Sequence, residues 1–97
     1  MTDFILFMHD DAQAEADDAA WDNYFGTLHR SGAFEGGSAI GAGQSFRKAG
    51  MPGPASPHFT GFIRVRAADL DAARSFLAGN PVYENGGTVE IRELPHD

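Results

Sequence analysis

The tightest constraint in this sequence is the run Phe4-Ile5-Leu6-Phe7-Met8 near its start. Five consecutive apolar side chains, rich in aromatic and branched residues, are too few for a stable helix and suit a strand. Successive side chains of a strand point to opposite faces, so an unbroken apolar run predicts a strand covered on both sides. A chain of 97 residues holds one domain, spanning residues 1–97, with a modest core to do the covering. Cysteine is absent, so neither a disulfide nor a thiolate metal site contributes, and apolar packing must suffice.

Asp10, Asp11, Glu15, Asp17 and Asp18 follow that strand, then Trp21, Tyr24, Phe25 and Leu28 at helical spacing, then His29, Arg30 and Gly32. Acid in front, base behind and glycine past the end match the helix dipole and a left-handed C-cap, which predicts a helix. The stretch Ala33 to Gly43 is rich in glycine yet carries Phe34 and Ile40, and predicts a bulged strand that Gln44 to Lys48 extends or pairs with. Prolines 52, 54 and 57 with glycines 50 and 53 predict a loop over residues 49–57, the most mobile part of the chain.

From Phe59 to Arg66, Ile63 and Val65 alternate with Arg64 and Arg66 as in a strand. Asp69 is placed to cap a short helix with Leu70, Ala73, Phe76 and Leu77 facing inward, ended by Gly79 and barred from continuing by Pro81. The turn signal Asn85-Gly86-Gly87 then leads into a last strand, Thr88 to Leu94, alternating around Val89 and Ile91.

Strand, helix, strand, strand, helix, strand is the order of an α+β fold of the split βαβ, ferredoxin-like type. It predicts an antiparallel sheet in the order 4-1-3-2 with both helices on one face. The other face of an apolar central strand then lacks a cover. Such a patch marks an interface, which predicts a homodimer formed through the sheet face.

Fourteen acidic residues against seven basic ones give a net charge of −7. That field repels phosphate backbones and anionic lipid, so nucleic acid and membrane surfaces are excluded as expected partners. No apolar run reaches the roughly 18 residues of a membrane span, and no leader pattern opens the chain, so a cytoplasmic location is expected. A small-molecule ligand remains the expected partner, and an anion is compatible because a local basic cluster outweighs the mean field at short range.

The second half carries the residues of a resemblance. Thr60-Gly61-Phe62-Ile63-Arg64-Val65, then Asp69-Leu70-Asp71-Ala72-Ala73, then Gly86-Gly87-Thr88-Val89-Glu90-Ile91-Arg92 occur in an order similar to the YCII-related proteins. That family of dimeric α+β barrels includes the DGPF-type proteins, whose signature Pro52-Gly53-Pro54-Ala55 meets only in part. The resemblance implies a pocketed barrel related to isomerases such as the muconolactone isomerases and to dehydrochlorinases. It also implies that the first-helix position holding a catalytic histidine in some relatives is occupied here by Trp21.

The expected sheet order gathers distant residues at one end. His9 and Asp10 leave the first strand, His58 enters the third and Tyr83 precedes the fourth, with the loop around residues 44–58 arching over them. Two imidazoles, a carboxylate and a phenol make an acid–base set near neutral pH, with His9, Asp10 and His58 as candidate catalytic residues. Trp21, Arg47, Arg64 and Tyr83 are the candidate substrate-binding residues. No H-x-x-x-H spacing supports a metal, the glycines at 36, 37, 41 and 43 do not open a helix as a phosphate loop would, and no cofactor is expected. Two readings follow: a cofactor-independent acid–base enzyme of isomerase or lyase type acting on a small metabolite, or a non-catalytic module that binds a small ligand or another protein.

Overall fold

The computed structural model describes residues 1–96. Strands β1 (Thr2–His9), β2 (Phe34–Ala39), β3 (Phe59–Ala67) and β4 (Val89–Leu94) form one antiparallel sheet in the order β2-β3-β1-β4. The apolar run therefore occupies an interior strand, as its composition requires. Leu6 lies opposite Ile63 on one side and Ile91 on the other, and Phe4 lies opposite Val65.

Strand alternation divides β1 between two environments. Phe4, Leu6 and Met8 join Ile63, Val65 and Ala67 in the core, roofed by Tyr24, Leu28 and Ala73 from the helices. Ile5 and Phe7 take the opposite face, where they are only half-buried. The molecule is a thin slab with extents of 46 × 37 × 18 Å.

Helix α1 (Asp18–Ser31) starts later than the acidic run suggests. Asp17 is its N-cap, the carboxylate accepting from Ala20 N at 2.9 Å, and Gly32 closes it at φ 76°. Residues 10–16 stay outside the helix as a loop, because the cap lies just past them.

The segment Gln44 to Lys48 neither extends β2 nor pairs with it, which corrects the sequence expectation. Ile40 N donates to Thr60 O at 3.0 Å, and β3 supplies no residue before Phe59 for further pairing. The loop consequently runs from residue 40 to residue 58 and is longer than the proline-rich stretch alone.

Asp69 caps α2 (Leu70–Arg74) by accepting from Ala72 N at 2.8 Å, and a 3-10 turn continues over Ser75–Leu77. Leu70 does not face inward: it is 51% exposed at the first position of a helix barely longer than one turn, while Ala73 is fully buried. Pro81 ends nothing; it opens a further one-turn helix, α3 (Pro81–Glu84). A proline at the first helical position lacks only an N–H that would have no partner there. Among the described residues, no helix is long and apolar enough to cross a membrane.

Candidate functional site

Because β1 runs antiparallel to both neighbours, its C-terminal end lies beside the starts of β3 and β4. The ladder slips by one residue between Met8 and His9, so that His9 lies opposite Phe59, while His9 N donates to Thr88 O at 2.9 Å. The imidazole rests edge-on against Phe59 at 5.3 Å, and Phe59 in turn stacks on Phe7 at 4.6 Å. His9 therefore lies on the half-covered face of the sheet.

Two titratable partners meet the ring there. His9 Nε2 is 3.0 Å from Glu90 Oε1, and the His58 ring is nearly parallel to it at 5.8 Å. Arg92 Nη1 holds the other Glu90 oxygen at 3.2 Å. The Arg92 hydrogen bond first, and that from His9 second, hold the Glu90 carboxyl below its ordinary value. A carboxylate fixed on one ring nitrogen orients the imidazole and leaves the other nitrogen for a substrate proton.

The loop after His9 forms a wall beside this pair. Asp11 accepts from Thr88 N at 2.7 Å and from Thr88 Oγ1 at 2.6 Å, and these bonds pull its carboxyl below the ordinary value. Gln13 N donates to Asn85 O at 2.8 Å. The loop lies so close to the α3–β4 turn that a Cβ at Gly87 would stand 3.1 Å from Ala12 Cα. Between the loop and the domain opens a cavity of about 430 Å³, lined by His9, Asp10, Glu15, Trp21, Thr60 and Val82 among others.

Two smaller cavities adjoin it. One, of about 250 Å³, is lined by His9, Asp10, Asp11, Pro57 and His58. The other, of about 360 Å³, is almost wholly apolar and lies behind Trp21 and Phe25, over Met8, Ala39 and Gly61. Its floor is bare backbone, because Gly37 and Gly61 leave no side chain on it, and a Cβ at Gly37 would meet Phe62 O at 2.5 Å. Trp21 stacks with Phe25 at 5.7 Å and divides this slot from the large cavity.

Of the candidate residues, His9, Asp10 and His58 are gathered around one cavity, and His9, Asp10 and Trp21 around another. Arg64 and Arg92 flank Ile5 from the two neighbouring strands on the half-covered face, away from these cavities. Arg47 Nη1 donates to Met51 O at 3.2 Å within the long loop. Tyr83 lies on α3, is 46% exposed and lines none of these three cavities.

Glu90 is the residue that sequence reasoning passed over. Its pattern, a carboxylate two positions from an arginine, suggests a solvated surface pair, and only the β1–β4 register sets it beside His9. Among the described residues, no group of three or more His, Asp and Glu side chains is arranged to hold a metal ion. No protein-family model matches this chain, and no curated protein does.

Proposed function

We propose that the end of β1 is the site of cofactor-independent acid–base chemistry, of isomerase or lyase type, on a small metabolite. The observation that carries this reading is the His9–Glu90 pair at 3.0 Å, beside a cavity large enough for a small metabolite and facing a second imidazole. His9 would take and return the proton. Glu90 is its positioning residue, held ionised by Arg92. Asp10 and His58 line the adjoining cavities as second proton-transfer groups, and Trp21 provides an apolar wall.

The same proposal takes the chain as a YCII-related, ferredoxin-like domain that pairs through its sheet face into a dimeric α+β barrel. Its support is the strand order, the ordered sequence pieces and the half-buried Ile5 and Phe7 on a face that no helix covers.

The test is solvent exchange. Small keto acids and lactones incubated with the protein in heavy water are followed by NMR for deuterium gained next to the carbonyl. Catalysed exchange is expected to fall about 10²-fold or more in His9→Ala, and less in Glu90→Gln with an altered pH profile. Exchange that His9→Ala leaves intact, or no exchange with any of them, removes the reading.

One observation favours the alternative, a non-catalytic ligand-binding module. The most apolar cavity lies on the helix side of the sheet, behind Trp21, while the His9 imidazole is on the other face. Saturable binding without exchange would select it.

A further inference from the structure

The charges of this chain are segregated along it. Residues 36–68 hold Arg47, Lys48, Arg64 and Arg66, four of the seven basic residues, and none of the fourteen acidic ones. The loop within that segment, residues 40–58, is exposed at every position except Ser45. Phe46 and Met51 within it are 85% and 84% exposed, the largest exposures of any bulky apolar side chain after Met1. A lone exposed hydrophobe is ordinary; two on one arm, with two cations beside the first, form a compact amphipathic surface.

The molecule is also more extended than its length requires. The radius of gyration is 14.8 Å, where a compact chain of this length has about 12.5 Å. The arm is exposed along nearly its whole length, and the Arg47 to Met51 hydrogen bond gives it a turn of its own.

The cavities around Trp21 are its complement. The slot behind Trp21 is apolar, with aromatic walls and a glycine floor. The adjoining large cavity has Asp10 and Glu15 on its rim and neither Lys nor Arg in its lining. An aromatic ring followed by two positive charges fits that arrangement, ring in the slot and cations at the carboxylates.

We propose that Phe46, Arg47 and Lys48 of one copy seat in the Trp21 cavities of a second copy, so that each site is completed by its partner's arm. A two-fold pair makes this contact twice, once in each direction. It also spares the arm from reversing over the short stretch from Ile40 to Ser45, which follows directly on the slot's own wall at Ala39. The proposal rests on the cavities themselves and stands apart from whether His9 moves a proton.

Trp21 is the only tryptophan, so its emission reports occupancy of the cavities directly. Trp21 emission and solution mass are measured together over a dilution series from about 0.1 to 500 μM, with circular dichroism confirming that each variant is folded. The expected result is a blue shift that follows the monomer-to-dimer transition. Phe46→Ser should abolish the shift and move the midpoint at least tenfold to higher concentration. Arg47→Glu with Lys48→Glu should weaken association similarly, and mixing that variant with Asp10→Lys, Glu15→Lys should restore association in a heterodimer, where one contact is charge-reversed and the other is the parental one. Emission that does not vary with concentration overturns the proposal. So does a dimer whose Trp21 emission is indifferent to Phe46→Ser, which would leave pairing through the sheet face standing. A Phe46-dependent shift that does not depend on concentration overturns it too, by showing that the arm closes on its own chain.

Discussion

His9 and Glu90 stand 81 residues apart in the chain and 3.0 Å apart across the β1–β4 edge. The carboxylate reaches the imidazole with one oxygen and Arg92 with the other, so its ionised form is favoured by the fold. A carboxyl whose folded value lies below its unfolded one, about 4.3 for Glu, stabilises the native state fully above the unfolded value. That stabilisation is lost as pH falls through the lowered folded value. Asp11 acts in the same direction through its two bonds from Thr88. Thermal unfolding followed from pH 6 to pH 3 should show Tm falling on the acid side. In Glu90→Gln with Asp11→Asn it should begin lower at pH 6 and fall less; parallel curves would show that these two carboxyls do not set the acid limb.

The succession strand, helix, strand, strand, helix, strand made the sheet order legible, with the apolar run of β1 suited to its interior, and the order in turn brought His9, Asp10 and His58 together. The reach of the acidic run was harder to read. Asp11 and Asp17 are alike as residues, yet only Asp17 caps the helix, while Asp11 is tied instead to Thr88, 77 positions away. Glu90 was hidden for the same reason: a strand partner is fixed by register, and the β1–β4 register, which sets Glu90 opposite Phe7 and so beside His9, leaves no local signature in either segment.

Leu6 and Leu70 look equally apolar in the sequence and differ in the fold. Leu6 is fully buried between Ile63 and Ile91, whereas Leu70 is 51% exposed. Leu6→Ala should cost about 2–5 kcal/mol in urea unfolding, the transfer loss plus the cavity left behind. Leu70→Ala should change stability by less than about 0.5 kcal/mol. Comparable losses would mean that Leu70 is covered in solution.

Asn80 is completely buried and caps α3, its Oδ1 accepting from Val82 N at 3.0 Å and Tyr83 N at 3.2 Å. Its Nδ2 lies by the Tyr24 hydroxyl without forming a well-made hydrogen bond, and that hydroxyl donates to Phe76 O at 2.6 Å. Burial raises the Tyr24 phenol above its ordinary value, which keeps that hydroxyl protonated and donating. Asn80→Ala removes the cap and should cost about 1–2 kcal/mol. Asn80→Ser keeps a capping acceptor and exchanges the buried amide donors for one hydroxyl that can turn toward a carbonyl, so its loss in the same urea titration should be the smaller. A serine variant as damaged as the alanine one would show that Nδ2 has a partner of its own.

Gly87 tests whether the cavity wall is as tightly built as its hydrogen bonds suggest. Gly87 N donates to Val82 O at 2.8 Å, which brings the backbone so near α3 that a Cβ would meet Val82 Cγ1 at 2.6 Å, Val82 O at 2.9 Å and Ala12 Cα at 3.1 Å. The valine methyl can turn away, but the carbonyl and the Ala12 backbone cannot move without displacing α3 or the loop after His9. Gly87→Ala should therefore cost about 1–3 kcal/mol as an overpacked contact. Gly53→Ala, with no atom within 4 Å and no positive φ, should stay within about 0.5 kcal/mol of the parent. Ala12 and Val82 are two walls of the large cavity, so the Gly87 substitution should also change Trp21 emission, while the Gly53 control should not. A stable Gly87→Ala protein with unaltered Trp21 emission would mean that the loop gives way freely and the cavity is not held in a fixed shape.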